Sequence, residues 1–257
     1  MTWFVKQLEK APIKNPVLIE GLPGMGNVGK IAVDFIIDAL KARKIYELFS
    51  YDLPHCVFIN KDNLIELPSI SVYQKNLKNR TLLFIAGDIQ PISEASCYEF
   101  CNTVLDTFQR TNLEIITLGG IALPKVPNEP KIYCTGNSKK YISKFRSSLV
   151  HTQLYGAIGP IVGVSGLLPG LAAKRKIPAA ALLAETFGHP NYLGIKGARS
   201  ILKVLNDQLN LDIDLEELDE EIKDVGEEFT NKAQSLDKAT RLFTKKVASS
   251  KGADYIG

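Results

Sequence analysis

The stretch Val17-Leu-Ile-Glu-Gly-Leu-Pro-Gly-Met-Gly-Asn-Val-Gly-Lys30 decides the fold. Val17 to Glu20 is a short apolar run closed by glycines, which reads as a buried strand. Lys30 to Leu40 then carries Ile31, Phe35, Ile36 and Leu40 at helical spacing. The same order recurs downstream. Thr81–Ala86 is a central strand ended by Gly87-Asp88, and Ser93 caps a helix bearing Glu94, Glu99, Phe100, Val104 and Phe108. Glu114–Leu118 is a strand ended by Gly119-Gly120. Residues 178–184 are a last strand, and Leu193–Leu209 a last helix with Ile195, Ile201, Leu202, Leu205 and Leu209 apolar. Residues 64–67 and 70–73 are β-like. Strands separated by helices predict an α/β fold whose largely parallel sheet is covered on both faces. Ligands of such sheets sit in a crevice at the strand ends.

Composition narrows the class. The 257 residues are 45% hydrophobic and 23% charged, with net charge +3. That balance is globular, not disordered, and too weakly basic to predict nucleic-acid binding. No apolar run is long enough to predict a membrane span. Four cysteines (Cys56, Cys97, Cys101, Cys134) do not make a disulfide scaffold. Residues 1–6 lack the pattern of a signal peptide, so the expected location is cytoplasmic, with thiols reduced.

Three enzyme motifs nearly fit. Gly24, Gly26 and Gly29 match G-x-G-x-x-G between a strand and a helix, the context in which a pyrophosphate meets backbone N–H groups. Glu47 and Asp52 are the acids near the ribose-binding distance. Gly24, Gly29 and Lys30 also match G-x-x-x-x-G-K, but Ile31 stands where a P-loop needs Ser or Thr for Mg²⁺. The plain alternative is a tight strand-to-helix turn with no nucleotide. Gly163-Val-Ser165-Gly-Leu167 approaches a nucleophile elbow, with Leu167 in place of the final glycine. Nothing in the sequence places His151 or His189 beside Ser165, and His189-Pro190 reads as a turn. Cys97 and Cys101 share one helix face and read as buried thiols, not zinc ligands. These motifs predict no catalytic residue, no metal and no cofactor. The remaining alternative is a small-molecule or nucleotide-binding enzyme, ATP-grasp-like, using Gly24, Gly26, Gly29 and Lys30.

The last fifth differs. Leu211, Leu215, Leu218, Ile222, Val225 and Phe229 form a heptad stripe. Residues 212–228 hold ten acids and one lysine, while residues 229–251 hold six bases and one acid. The stripe predicts an amphipathic helix or hairpin, packed on its own domain or projecting to pair with another copy. The expected organisation is an α/β body over 1–210, a helical segment over 211–248 and a flexible tail over 249–257.

Five segments in order carry a resemblance. They are Gly21–Gly29, Gly87-Asp88-Ile89-Gln90-Pro91, Leu118-Gly119-Gly120, Gly163-Val-Ser-Gly-Leu-Leu-Pro-Gly170 and Leu183-Ala-Glu-Thr-Phe-Gly-His-Pro190. Together they resemble the proteasome assembly chaperone family, in its single-chain archaeal branch. The resemblance implies a three-layer α/β/α fold similar to purine nucleoside phosphorylases, and homo-oligomers with projecting C-terminal helices built on Leu215, Leu218, Ile222, Val225 and Phe229. It implies a non-enzymatic role, binding proteasome α-subunits or the α-ring during core-particle assembly. Family tails ending hydrophobic–Tyr–any residue enter pockets between α-subunits. Here Asp254-Tyr255-Ile256-Gly257 is the corresponding contact, with Tyr255 one place early.

Overall fold

The computed structural model describes residues 3–60, 62–108, 112–154, 159–216 and 218–220. Strand β1 (Trp3–Gln7) is followed by β2 (Val17–Glu20), a 3-10 turn at Met25–Asn27 and α1 (Val28–Ala39). Next come β3 (Arg43–Ser50), the small hairpin β4 (Phe58–Ile59) and β5 (Ile65–Glu66), β6 (Ile70–Asn76) and β7 (Thr81–Gly87). Helix α2 (Glu94–Phe108) leads to β8 (Glu114–Leu123) and β9 (Ile132–Gly136). Helix α3 (Lys139–Ile142), with a 3-10 turn at Ser143–Phe145, and β10 (Val150–His151) precede α4 (Val164–Lys174), β11 (Ala179–Phe187) and α5 (Ile195–Leu209).

Nine strands form one sheet in the order β1-β3-β6-β7-β2-β8-β11-β9-β10. The α/β expectation holds. The largely parallel one does not, because the sheet is mixed. β7, β2, β8 and β11 run parallel at its centre. The β1–β3, β3–β6, β6–β7 and β9–β11 pairs are antiparallel. Antiparallel neighbours can be joined by a tight turn, which parallel neighbours cannot. The β6–β7 turn, for example, is closed by the Leu77 N–H on the Arg80 carbonyl.

The core lies where the central strands meet helices. Leu18, Leu83, Ile85 and Ile115 pack with Phe100, Cys101, Val104 and Leu105 of α2 and with Val164, Leu168 and Ala172 of α4. α1 and α5 pack on each other, as do α2 and α4. Successive β8 residues address these different pairs. Leu118 meets Gly29 of α1, whereas Gly119 meets Ser165 of α4. The Ser93 cap is as expected: its Oγ accepts the Ser96 N–H at 3.1 Å.

Helix α1 is rotated from its predicted phase. Val28, Ala32, Val33, Ile36 and Ile37 are buried, while Ile31, Phe35 and Leu40 are half-buried. Gly29 sets that rotation. A side-chain carbon there would lie 2.6 Å from the Leu118 carbonyl oxygen.

Met1–Leu215 forms one compact unit and Glu216–Gly257 a second. The stripe expected to start at Leu211 begins as non-helical chain through Leu215. Asn210 and Asp212 have positive φ (52° and 55°), and the Asn206 amide bonds both the N–H and the carbonyl of Ile213. The chain therefore turns away from helical continuation. Leu211 and Ile213 are buried and Leu215 is half-buried. Glu216 and residues 218–220 are helical, and Leu218 is 1% exposed. Ile222, Val225 and Phe229 lie outside the described residues, as does the 249–257 segment.

Replacing Gly29 with alanine drives a side-chain carbon against the Leu118 backbone carbonyl. The expected loss is about 2 kcal/mol of stability, read by denaturant unfolding. An unchanged midpoint would contradict the packing role of Gly29.

Candidate functional site

A crevice of about 420 Å³ opens at the carboxyl ends of β2 and β8. It is the place where α/β sheets bind ligands. All five segments that carried the family resemblance line it, through Leu22–Met25, Gln90, Leu118–Gly120, Gly163 with Ser165, and Leu183. They are far apart in sequence, and the fold brings them together. The lining is glycine backbone and apolar side chain, with Gln90 and Ser165 as its polar side chains.

Glu20 closes β2 beside this crevice and is fully buried. Its Oε1 accepts the Leu22 N–H at 2.9 Å, and its carboxyl is within hydrogen-bonding reach of Ser165. Its Oε2 has no hydrogen-bond partner among the described residues. Burial pushes its pKa up to about 7, against the smaller opposing effects of the Leu22 N–H and the nearby Ser165 hydroxyl. Cys97 and Cys101 lie on the same side. Their mutual hydrogen bond and then burial hold the Cys101 thiol well above the ordinary range, with the Glu20 charge adding to the effect. The sequence reading gave Glu20 no role. The available signal was a lone acid ending an otherwise apolar strand just before a glycine loop.

The near-miss motifs resolve into packing. Gly26 adopts φ +61°, and a side chain there would strike the Thr186 hydroxyl at 2.5 Å. The Gly26 carbonyl accepts the Gly194 N–H at 2.7 Å. Gly29 is pressed on β8, as described above. Of the three fingerprint glycines, only Gly24 faces open space. Lys30 is engaged by Asp34 at 2.8 Å and Asp88 at 3.7 Å. The strand after α1 is β3, which is antiparallel to its neighbour β6 and is separated from β2 by β6 and β7. In a dinucleotide fold the ribose-binding acid ends the parallel strand beside the first. Glu47 sits instead on β3, paired with Lys44 at 3.3 Å, and Asp52 lies in the turn after it.

Ser165 occupies the first turn of α4 and donates to the Leu118 carbonyl at 3.1 Å. The Thr117 hydroxyl donates to the Ser165 carbonyl at 2.6 Å. His151 lies against Tyr133, while His189 stacks on Phe187 in the turn to Tyr192. The Ser165 contacts are those of a helix anchor.

The sequence profile of the PAC2 family matches residues 18–233. The chain belongs to the PAC2 family. An uncharacterized protein of Methanocaldococcus jannaschii is 30% identical over the whole of this chain and 97% of its own length. PbaB of Pyrococcus furiosus, described as an archaeal proteasome activator, is similar in sequence and structure. The identity is 32% and the TM-score 0.83, covering 91% of this chain and 100% of that one. PbaA of the same organism, described as an archaeal homolog of proteasome-assembly chaperone, shares the fold at 23% identity. Its TM-score is 0.73, over 95% of this chain and 98% of that one. No helix among the described residues of this PAC2 protein is long and apolar enough to cross a membrane.

The buried Glu20 carboxyl makes stability pH-dependent. Its folded pKa of about 7 lies above the ordinary 4.5, so the folded state keeps a proton that the unfolded state loses. Stability falls as pH rises from about 4.5 to 7 and then levels, a loss on the order of 3 kcal/mol. The Glu20→Gln variant is expected to lack this slope when unfolding is measured across that range. An identical slope in both proteins would contradict the assignment.

Proposed function

We propose that this chain is a non-enzymatic proteasome assembly factor, which binds proteasome α-subunits or the α-ring and assists core-particle assembly. The observation that carries this reading is the likeness to PbaB, 32% identical over nearly the whole chain with TM-score 0.83. The fold shared with PbaA supports it. Among the described residues the crevice serine anchors α4, and Lys30, which lies outside its lining, is engaged by two aspartates. A nucleotide-dependent enzyme using Gly24, Gly26, Gly29 and Lys30 is therefore the less favoured reading. We place the protein in the cytoplasm as a homo-oligomer, assembled through Leu215, Leu218, Ile222, Val225 and Phe229. The description of PbaB as an activator favours a second target, the finished proteasome rather than free α-subunits.

The contact we assign to the ring is Asp254, Tyr255, Ile256 and Gly257. Tyrosine offers an apolar ring with a polar tip, which suits a pocket between subunits. Pull-downs with isolated α-subunits and with assembled core particle test both target and tail. Full-length protein is expected to bind one or both, and deletion of residues 253–257 to weaken binding about tenfold. Equal binding by the deletion variant would remove the tail from the contact. Binding by neither protein to either target would overturn the assignment.

Replacing Leu218 and Ile222 with aspartate places charge in the apolar stripe, an unfavourable burial if the stripe is packed. A smaller mass by light scattering, or reduced helicity by circular dichroism, is the expected result. Unchanged mass and helicity would contradict assembly through these residues.

A further inference from the structure

A second cavity, about 400 Å³, lies at the opposite ends of the central strands, where β8 and β11 begin. Its walls come from the β9–α3 corner and from the turn between α4 and β11. Asn137 holds the two together. Its Nδ2 donates to the carbonyls of Pro169 and Ile177, and its Oδ1 accepts the Ala179 N–H. The cavity is thus built by a buttressed corner that brings distant segments side by side.

Its charge is one-sided. Between Lys131 and Ala184 the sequence has eight Lys and Arg and no Asp or Glu. Three of those bases, Lys140, Lys144 and Lys176, line the cavity. The single acid on its wall is Glu114, which accepts from Lys144 at 2.6 Å. Lys140 and Lys176 have no carboxylate partner among the described residues. Tyr141 presents its ring to the Lys144 ammonium at 4.7 Å. Ser138 contributes a hydroxyl, and Pro178 an apolar wall.

We propose that this cavity binds a small molecule through a phosphate dianion. Three ammonium groups against one carboxylate leave two positive charges, which a phosphate monoester balances near neutral pH. Lysines reaching from separate segments act as movable point charges and suit the tetrahedral oxygens of phosphate. A planar carboxylate is matched better by the fork of an arginine. The volume falls in the range of small-molecule sites and exceeds what a bare phosphate fills. The space beside Tyr141 and Pro178 would take an organic body such as a sugar.

The test is calorimetric titration of the full chain at fixed ionic strength with inorganic phosphate, ribose 5-phosphate and citrate. Ribose 5-phosphate binding tighter than phosphate assigns the site to an organic ester. Equal binding of the two assigns it to the free ion. Both support a phosphate site. The Lys140→Met/Lys176→Met variant is expected to bind at least tenfold more weakly. Glu114→Gln, which removes the competing carboxylate, is expected to bind more tightly. Lys174→Met alters the same basic stretch outside the cavity and is expected to bind as the parent does. Three results would overturn the proposal. They are no binding of either phosphate at millimolar concentration, citrate binding equal to phosphate, and a loss in Lys174→Met equal to that of the double variant.

Discussion

The structure depends on one close approach, that of the Gly21–Lys30 loop to β8 and β11. Gly29 lies flush on the Leu118 carbonyl, and Gly26 fits beneath the Thr186 side chain. The Gly26 carbonyl is tied to the Gly194 N–H that begins α5. Those contacts fix the rotation of α1, the start of α5 and one wall of the crevice together. They explain why the segment imitates nucleotide motifs. Small residues at a strand-to-helix turn serve close packing as readily as they serve a phosphate, and here packing uses two of the three fingerprint glycines.

Most of the body was legible from periodicity. The central strands β2, β7, β8 and β11 are continuous apolar runs closed by glycine or a polar residue, the signature of strands buried on both faces. Helices α1, α2 and α5 were legible for the same reason, and Ser93 marked its cap. The strands toward the two edges of the sheet were not. Arg43-Lys-Ile-Tyr-Glu-Leu-Phe-Ser50 mixes charge with apolar residues because β3 is partly exposed, and its burial pattern is uneven. β9 is only five residues long, and Trp3–Gln7 has one buried residue, Trp3. The sequence therefore suggested a more parallel sheet than the chain forms.

The crevice was legible as a set of loops but not as a place. Each of the five segments could be quoted beforehand, yet their convergence depends on strand order, which periodicity does not specify. Glu20 became meaningful only in the fold, because its environment comes from Leu22 in the following loop, Ser165 of α4 and Cys97 of α2. The basic cavity was less legible still. Its lysines lie on two segments some thirty residues apart, and the β9–β11 pairing with the Asn137 bridge between the β9–α3 corner and the α4–β11 turn makes them neighbours. Charge is segregated along the whole chain, from the acid-free 131–184 stretch to the acid-rich 212–228 stretch. Such separation favours partners selected by electrostatics.

The central claim is that the glycine loop is a packed joint of a protein-binding fold, not a nucleotide cradle. Amide hydrogen exchange over residues 21–30, with and without saturating ATP or NAD, tests it most directly. The account predicts slow exchange at Asn27, whose N–H is held by the Gly24 carbonyl, and no change on adding either nucleotide. New protection of the Gly24–Gly29 amides by ATP or NAD would contradict it.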